Sequence, residues 1–402
     1  MRPVYIAFLL ATLFASGQTT ADEVPRVEML HMWRTDSEQH ALGAFRDPLI
    51  ADGVDWYDYA IDNNFQGIQT EFSNRLSLDD PPTAVQWIVG EEMRRLAGGD
   101  AIRRIPLTLE ITNRLHPKVI ELVEIDGELA GIPVGIHTQN HIVYNRRIAE
   151  KVGIEIPETW DDLIALGTTL SENGVYLIAA SNQEWQLRVL FNSILSSVLT
   201  ADEFRLVMSP QTSVDHLVPK FKTAFTTFAQ LKMFADPNDD DRSWEEVTEV
   251  VADGTAFAQI LGDYIVPEFP DREAIVCKRS PGANFIIWGM DSFVLPETND
   301  QSVRIGQDKL VKAILSPENS AEYISRKGGV PVTRDADLSR LGPCSLAVAE
   351  SWDRIENRIW TGGDVWRHRF SAMAAVAKRE WDNEQIDPEA AAKRLASVLG
   401  AI

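Results

Sequence analysis

Cysteine, positive charge and long apolar runs are what this sequence has least of, and each shortage narrows what the chain can be. Lysine and arginine number 38 against 60 aspartates and glutamates, a net charge of −22. A field of that sign repels phosphate backbones, so nucleic acid is not expected as a partner. The acid excess serves solubility and names no ligand. HExxH, GxSxG, P-loop and dinucleotide fingerprints are all missing. The acidic run 236–241 lacks the glycine and the closing glutamate of a calcium loop. His137 and His141 stand at i, i+4, but on strand-like sequence, where that spacing holds the rings far apart. No metal, cofactor or catalytic residue is expected, and nothing singles out a glycosidase carboxylate pair among the 60 acids. The chain does not read as an enzyme.

What is present begins at the first residues. Arg2 precedes an apolar run from Val4 to Phe14, followed by small and polar residues to Ala21. That is the layout of a secretory signal, expected over residues 1–21. The run is well short of the roughly 20 residues a membrane span needs. No later stretch is long and apolar enough to span, and no cysteine near the exit suggests a lipid anchor. A soluble periplasmic product is expected. In such an oxidising compartment Cys277 and Cys344 read as a disulfide, with two buried thiols as the alternative.

A chain of 402 residues exceeds one ordinary core, so two domains are expected. Val27–Trp33 reads as a strand, and Thr35 with Glu38 forms a capping box before a helix through Ala41, Leu42, Phe45 and Leu49. A second strand over 54–61, a helix through Ile68 and Phe72, and the Pro81-Pro82 break complete a strand–helix–strand–helix unit. Further strands are expected at His141–Asn145 and Val175–Ala180, with helices after Thr159 and at Pro388. This is the grammar of doubly wound α/β domains. Of the eleven tryptophans, Trp160 lies on a helical apolar face and should pack. Trp33 stands where a strand gives way to a helix, the place where ligands collect in open α/β sheets. Trp185 and Trp288 occupy polar or glycine-bearing contexts and suit either ligand or core.

Several segments together resemble the extracellular solute-binding proteins of sugar ABC transporters, family 1, the group that includes the glucose-binding proteins. They are VEMLHMWRTDSE, PPTAVQ, the run from Tyr144 to Asp162, DGTAFAQILGDY, MDSFVLPE and KGGVPVTRDADL. The resemblance implies a type II periplasmic binding protein: two doubly wound α/β lobes joined by three hinge crossovers. It implies lobes at 22–133 plus 290–328 and at 134–289 plus 329–402. Ligand would sit between them and a membrane permease would receive it from a monomeric carrier, without bond chemistry.

Residue by residue, the resemblance implies that Trp33 stacks on sugar, with Met32 replacing a second aromatic. Glu38, Gln86, His137, Asp263 and Lys327 match polar ligand contacts, and Tyr264 keeps an aromatic face where relatives carry tryptophan. Trp185 and Trp288 complete the candidate set. The family's paired cysteines look like Cys277 and Cys344. Ile88 and Gly289 replace polar groups, so the sugar, a mono- or small oligosaccharide, need not be glucose. A polyol, a sugar acid or a phosphorylated compound is the alternative ligand, although no arginine cluster occupies the matched positions. A chemosensory receptor subunit is the alternative role.

Overall fold

Runs rich in valine, isoleucine and leucine build the two larger sheets of the computed structural model, beside a small three-stranded one over Ile105–Pro106, Glu128–Leu129 and Glu124–Ile125. The structure describes residues 23–61, 65–210, 212–350, 352–355, 357–361 and 364–401, with 364–367 as backbone. The expected signal, 1–21, lies outside them. In the first sheet Val330–Pro331, Ile132–Thr138, Ile286–Pro296, Ala84–Gln86, Arg26–His31 and Asp55–Ala60 lie side by side in that order. Arg358–Trp360 and Ile102–Arg103 add to Ile286–Pro296. Arg26–His31 runs parallel to both Asp55–Ala60 and Ala84–Gln86, as strand–helix–strand units require. The second sheet orders Tyr176–Ala179, Ala256–Leu261, His141–Asn145 and Ile275–Arg279. Each of these two sheets carries its own hydrophobic clusters, one around the first and two around the second.

The helix Asp36–Ala51 shows how local sequence sets position. Its capping box is complete: Thr35 Oγ1 accepts the Glu38 N–H, and the Glu38 carboxylate accepts the Thr35 N–H. Ala41, Leu42, Phe45 and Leu49 then recur on the buried side, and Phe45 stacks on Tyr323 at 5.0 Å. Burying a leucine or phenylalanine of this kind contributes about 1.5–3 kcal/mol. The expected caps at Thr159 and Asp387, with Pro388 at the first helical position, are likewise present. Trp160 is buried in the second sheet's cluster.

Three connections pass between the sheets. The first is Gln139–Asn140, between strands Ile132–Thr138 and His141–Asn145. The second is residues 280–285, between Ile275–Arg279 and Ile286–Pro296. The third follows Arg358–Trp360 and leads into helix Asp364–Asp382, which packs on Glu184–Val198. The boundaries expected from sequence at 133/134 and 289/290 fall inside strands of the first sheet, and 328/329 falls just before Val330–Pro331. Both long strands are almost continuously buried, so no polar residue inside them marks a departure from the sheet.

Asn140 pins the first two connections together. Its amide nitrogen donates to Phe285 O at 2.9 Å and to Ser196 Oγ at 3.2 Å, and its oxygen accepts the Ile287 N–H at 2.9 Å. The third is tied alongside, since Thr361 donates twice to Trp288 O. Cys277, on a strand of the second sheet, is disulfide-bonded to Cys344 on helix Pro343–Ala349. No helix among the described residues is long and apolar enough to cross a membrane.

Candidate ligand-binding site

Antiparallel register brings the first polar cluster together. His137 lies opposite Gly289 and Gly135 lies opposite Asp291, so His137 and Asp291 share one face of the sheet. The imidazole is held between two carboxylates, with Nδ1 at 3.0 Å from Asp263 Oδ1 and Nε2 at 3.2 Å from Asp291 Oδ2. Asp263 also accepts the Thr138 N–H at 2.8 Å and the Thr138 hydroxyl at 2.7 Å. Burial alone would push the His137 pKa down. The hydrogen bonds to Asp263 and Asp291 more than offset it and raise the value to about 9. His141, buried without such partners, is pushed down instead.

This elevation sets a pH dependence. Below the unfolded value of about 6.5 the imidazolium is present in both states and its ion pairs contribute in full. As pH climbs toward 9 the folded protein must hold a proton that the unfolded chain has released, and the contribution fades. Urea midpoints should therefore fall between pH 6.5 and 9, and His137→Asn should flatten that decline. A slope unchanged by the substitution would contradict it.

Glu38 and Lys327 form the second cluster. Lys327 ends helix Pro317–Lys327, which packs along Asp36–Ala51. Its Nζ is 2.6 Å from Glu38 Oε1, while Oε2 of the same carboxylate accepts the Arg34 N–H at 2.9 Å. Glu38 thus serves the helix cap and the lysine together. Burial disfavours the Lys327 charge, yet Glu38, Asp291 and Glu268 around it raise its pKa. Two aromatic rings from the second sheet's side, Trp244 and Tyr264, each place their centres 6.0 Å from the ammonium. Burial pushes the Tyr264 hydroxyl well up, so it remains a neutral donor.

Other contacts join the two halves here. The Glu268 carboxylate accepts from the Thr35 hydroxyl at 2.9 Å and from the Ser37 hydroxyl, at the start of helix Asp36–Ala51. Arg272 donates to Ser325 O at 3.0 Å. Glu245 stands near Glu38 and Glu268. Burial raises its carboxyl pKa and the neighbouring acids add to the rise.

The candidate residues therefore divide. Glu38, His137, Asp263, Tyr264 and Lys327 converge at the junction between the sheets. Trp33 is packed edge-on to Phe293 at 5.5 Å and tilted against Tyr323 at 5.8 Å, within the first cluster. Tyr323 connects it to the junction through a 3.4 Å contact with Asp291. Gln86 Oε1 accepts the Met32 N–H at 3.0 Å and fixes the backbone beside Trp33. Trp288 forms an aromatic trio with Trp352 and Trp360 beside the third connection, on the sheet face opposite His137. Trp185 is half-buried at a helix start, its indole N–H on Gln183 Oε1 at 2.9 Å.

Sequence reasoning missed Trp244, Glu268 and Asp291. Trp244 alone had a local signal, because it is the first helical residue inside the Ser243/Glu246 capping box, in a polar segment. Asp291 sits in the quoted MDSFVLPE segment, but its pairing with His137 depends on strand register.

Comparisons with known proteins agree on one family. Residues 60–343 match the model for bacterial extracellular solute-binding proteins. A probable sugar-binding periplasmic protein of Rhizobium meliloti is 26% identical over 417 residues, covering 100% of both chains. Among solved structures, the bacterial solute receptor AcbH, described as having an exclusive preference for b-D-galactopyranose, superposes with a TM-score of 0.76. The identity is 14%, over 94% of this chain and 97% of that one. A raffinose-bound solute-binding protein, RafE, gives a TM-score of 0.74 at 12% identity, over 94% of this chain and 99% of that one. The fold is that of the type II periplasmic binding proteins.

Proposed function

This chain belongs to the bacterial extracellular solute-binding proteins, and from that premise we propose that it captures a saccharide between its two lobes and delivers it to an ABC permease. One observation supports the reading above the rest: a buried Lys327–Glu38 pair faces two aromatic rings, Trp244 and Tyr264, from across the junction. A sugar ring offers an apolar C–H face and a rim of hydroxyls. Aromatic faces take the first, and charged hydrogen-bonding groups take the second.

Lys327 donates to hydroxyl oxygens and Glu38 accepts from hydroxyl protons, while His137 and Asp263 hold the crossover strand in place beneath them. Trp33 and Gln86 shape the wall on the first lobe, and Trp288 stiffens the hinge. Ligand bridging the junction favours the closed arrangement, so transport begins as a population shift and the sugar leaves chemically unchanged. The relatives described as sugar-binding support this class of ligand.

A thermal-shift panel of aldoses, disaccharides, sugar acids and polyols tests the reading. A ligand bound by the native state alone at 100 times its Kd adds about 2.7 kcal/mol of stability. At least one saccharide should raise the midpoint, and Trp244→Ala should abolish the rise. No response across the panel, or an undiminished response in Trp244→Ala, would overturn it.

A further inference from the structure

Helix Glu184–Val198 carries a row of side chains with no work assigned so far. Trp185, Arg188 and Asn192 stand at i, i+3 and i+7, which puts them on one face. One turn further on, Ser196 accepts from Asn140 at the first connection between the sheets. The row therefore starts at the hinge and runs outward beside the junction.

Two members of the row lack a hydrogen-bonding or oppositely charged partner. Asn192 is 2% exposed, and neither its amide nitrogen nor its oxygen has a hydrogen-bond partner. Buried polar groups are nearly always satisfied, so this carboxamide is open to a partner from outside the chain. The Arg188 guanidinium lies 4.6 Å over the Phe370 ring, and the one ionisable group acting on it is Tyr264. No carboxylate among the described residues pairs with it, in a chain holding 60 of them. Burial pushes its pKa down, which marks a cation partly stripped of water. Arg75, Arg103 and Arg242, also half-buried, are neutralised by Glu28, Asp308 and Asp236, whereas the buried Arg369, like Arg188, has no carboxylate partner among the described residues. Tyr264 links the row to the site, since its ring also meets His137, Trp244 and Lys327.

We propose that Arg188 and Asn192 form a subsite for the carboxylate of a sugar acid, so that the captured saccharide is a uronate. The inference rests on the saccharide reading above. The planar guanidinium matches a carboxylate with two parallel hydrogen bonds. The Asn192 amide, able to donate and accept, serves a neighbouring hydroxyl, and Trp185 walls the outer end. A phosphate dianion would need a second cation, and Lys327 is committed to Glu38. The absence of an arginine cluster at family-matched positions pointed away from anions, but this guanidinium comes from a helix outside those positions.

Calorimetric titration of the full chain with D-galacturonate, D-glucuronate, their uronate disaccharides and the neutral counterparts tests the inference. A charge-assisted pair of this kind should make the preferred uronate bind about 10- to 100-fold more tightly than its neutral counterpart. Arg188→Gln should erase that preference and leave neutral-sugar affinity and the ligand-free thermal midpoint unchanged. Arg188→Lys, which keeps charge without the fork, should lose part of the preference, and it decides the matter if Arg188→Gln does not fold. Equal or tighter binding of neutral sugar, or a preference untouched by both substitutions, overturns the inference and leaves the saccharide reading intact. Binding of neither class overturns both.

Discussion

Replacing Lys327 with methionine is expected to cost the fold about 3–5 kcal/mol, read as a loss of stability in urea unfolding. The ammonium is 4% exposed and 2.6 Å from Glu38 Oε1. Methionine fills nearly the same volume, so packing is largely kept and the loss is electrostatic. Glu38 would retain its backbone N–H partners at the helix start but lose its counter-charge. Asp291 and Glu268, which also act on this lysine, would lose a nearby positive charge. Adding Glu38→Gln should restore part of the loss, because a neutral amide needs no counter-ion. A single variant as stable as the parent, or a double variant that loses the sum of both, would show that the pair is a solvent-screened surface contact.

Removing the disulfide should cost a comparable amount. Cys277 and Cys344 are separated by 67 positions, and cross-linking a loop of that length contributes about 4 kcal/mol in the chain-entropy treatment. The bond fastens helix Pro343–Ala349 to strand Ile275–Arg279, close to where the chain passes between sheets. Cys277→Ser with Cys344→Ser should therefore lower the unfolding midpoint, and reductant should lower the parent's midpoint to the same level. Coincident unfolding curves for parent and variant under oxidising conditions would contradict the assignment.

Local features were legible in the sequence, and long-range ones were not. The Thr35/Glu38 box could be read because its partners lie three residues apart, and Trp160 because helical spacing reports burial. The strand-end position of Trp33 was equally clear. Its ring contacts with Phe293 and Tyr323 were not, because they depend on segments folding back from late in the chain. Glu38 and Lys327 are 289 residues apart, and only the resemblance to the family set them in one group. The His137–Asp291 contact arises from antiparallel register, which no single strand encodes. Crossover positions were missed for a related reason. Ile132–Thr138 is buried along its whole length, so hydrophobicity alone does not show where it leaves the first sheet. Arg188 and Asn192 carry no local signal in the sequence, and only the lack of a charged or hydrogen-bonding partner in three dimensions sets them apart.

A crystal structure of the protein with the saccharide selected by the thermal-shift panel is the most direct trial of capture between the lobes. It should hold one sugar per chain at the junction, its ring against Tyr264 or Trp244 and its hydroxyls on Lys327 and Glu38. A sugar seated on an outer surface, with Lys327 and Glu38 paired as before and untouched by it, would contradict the mechanism.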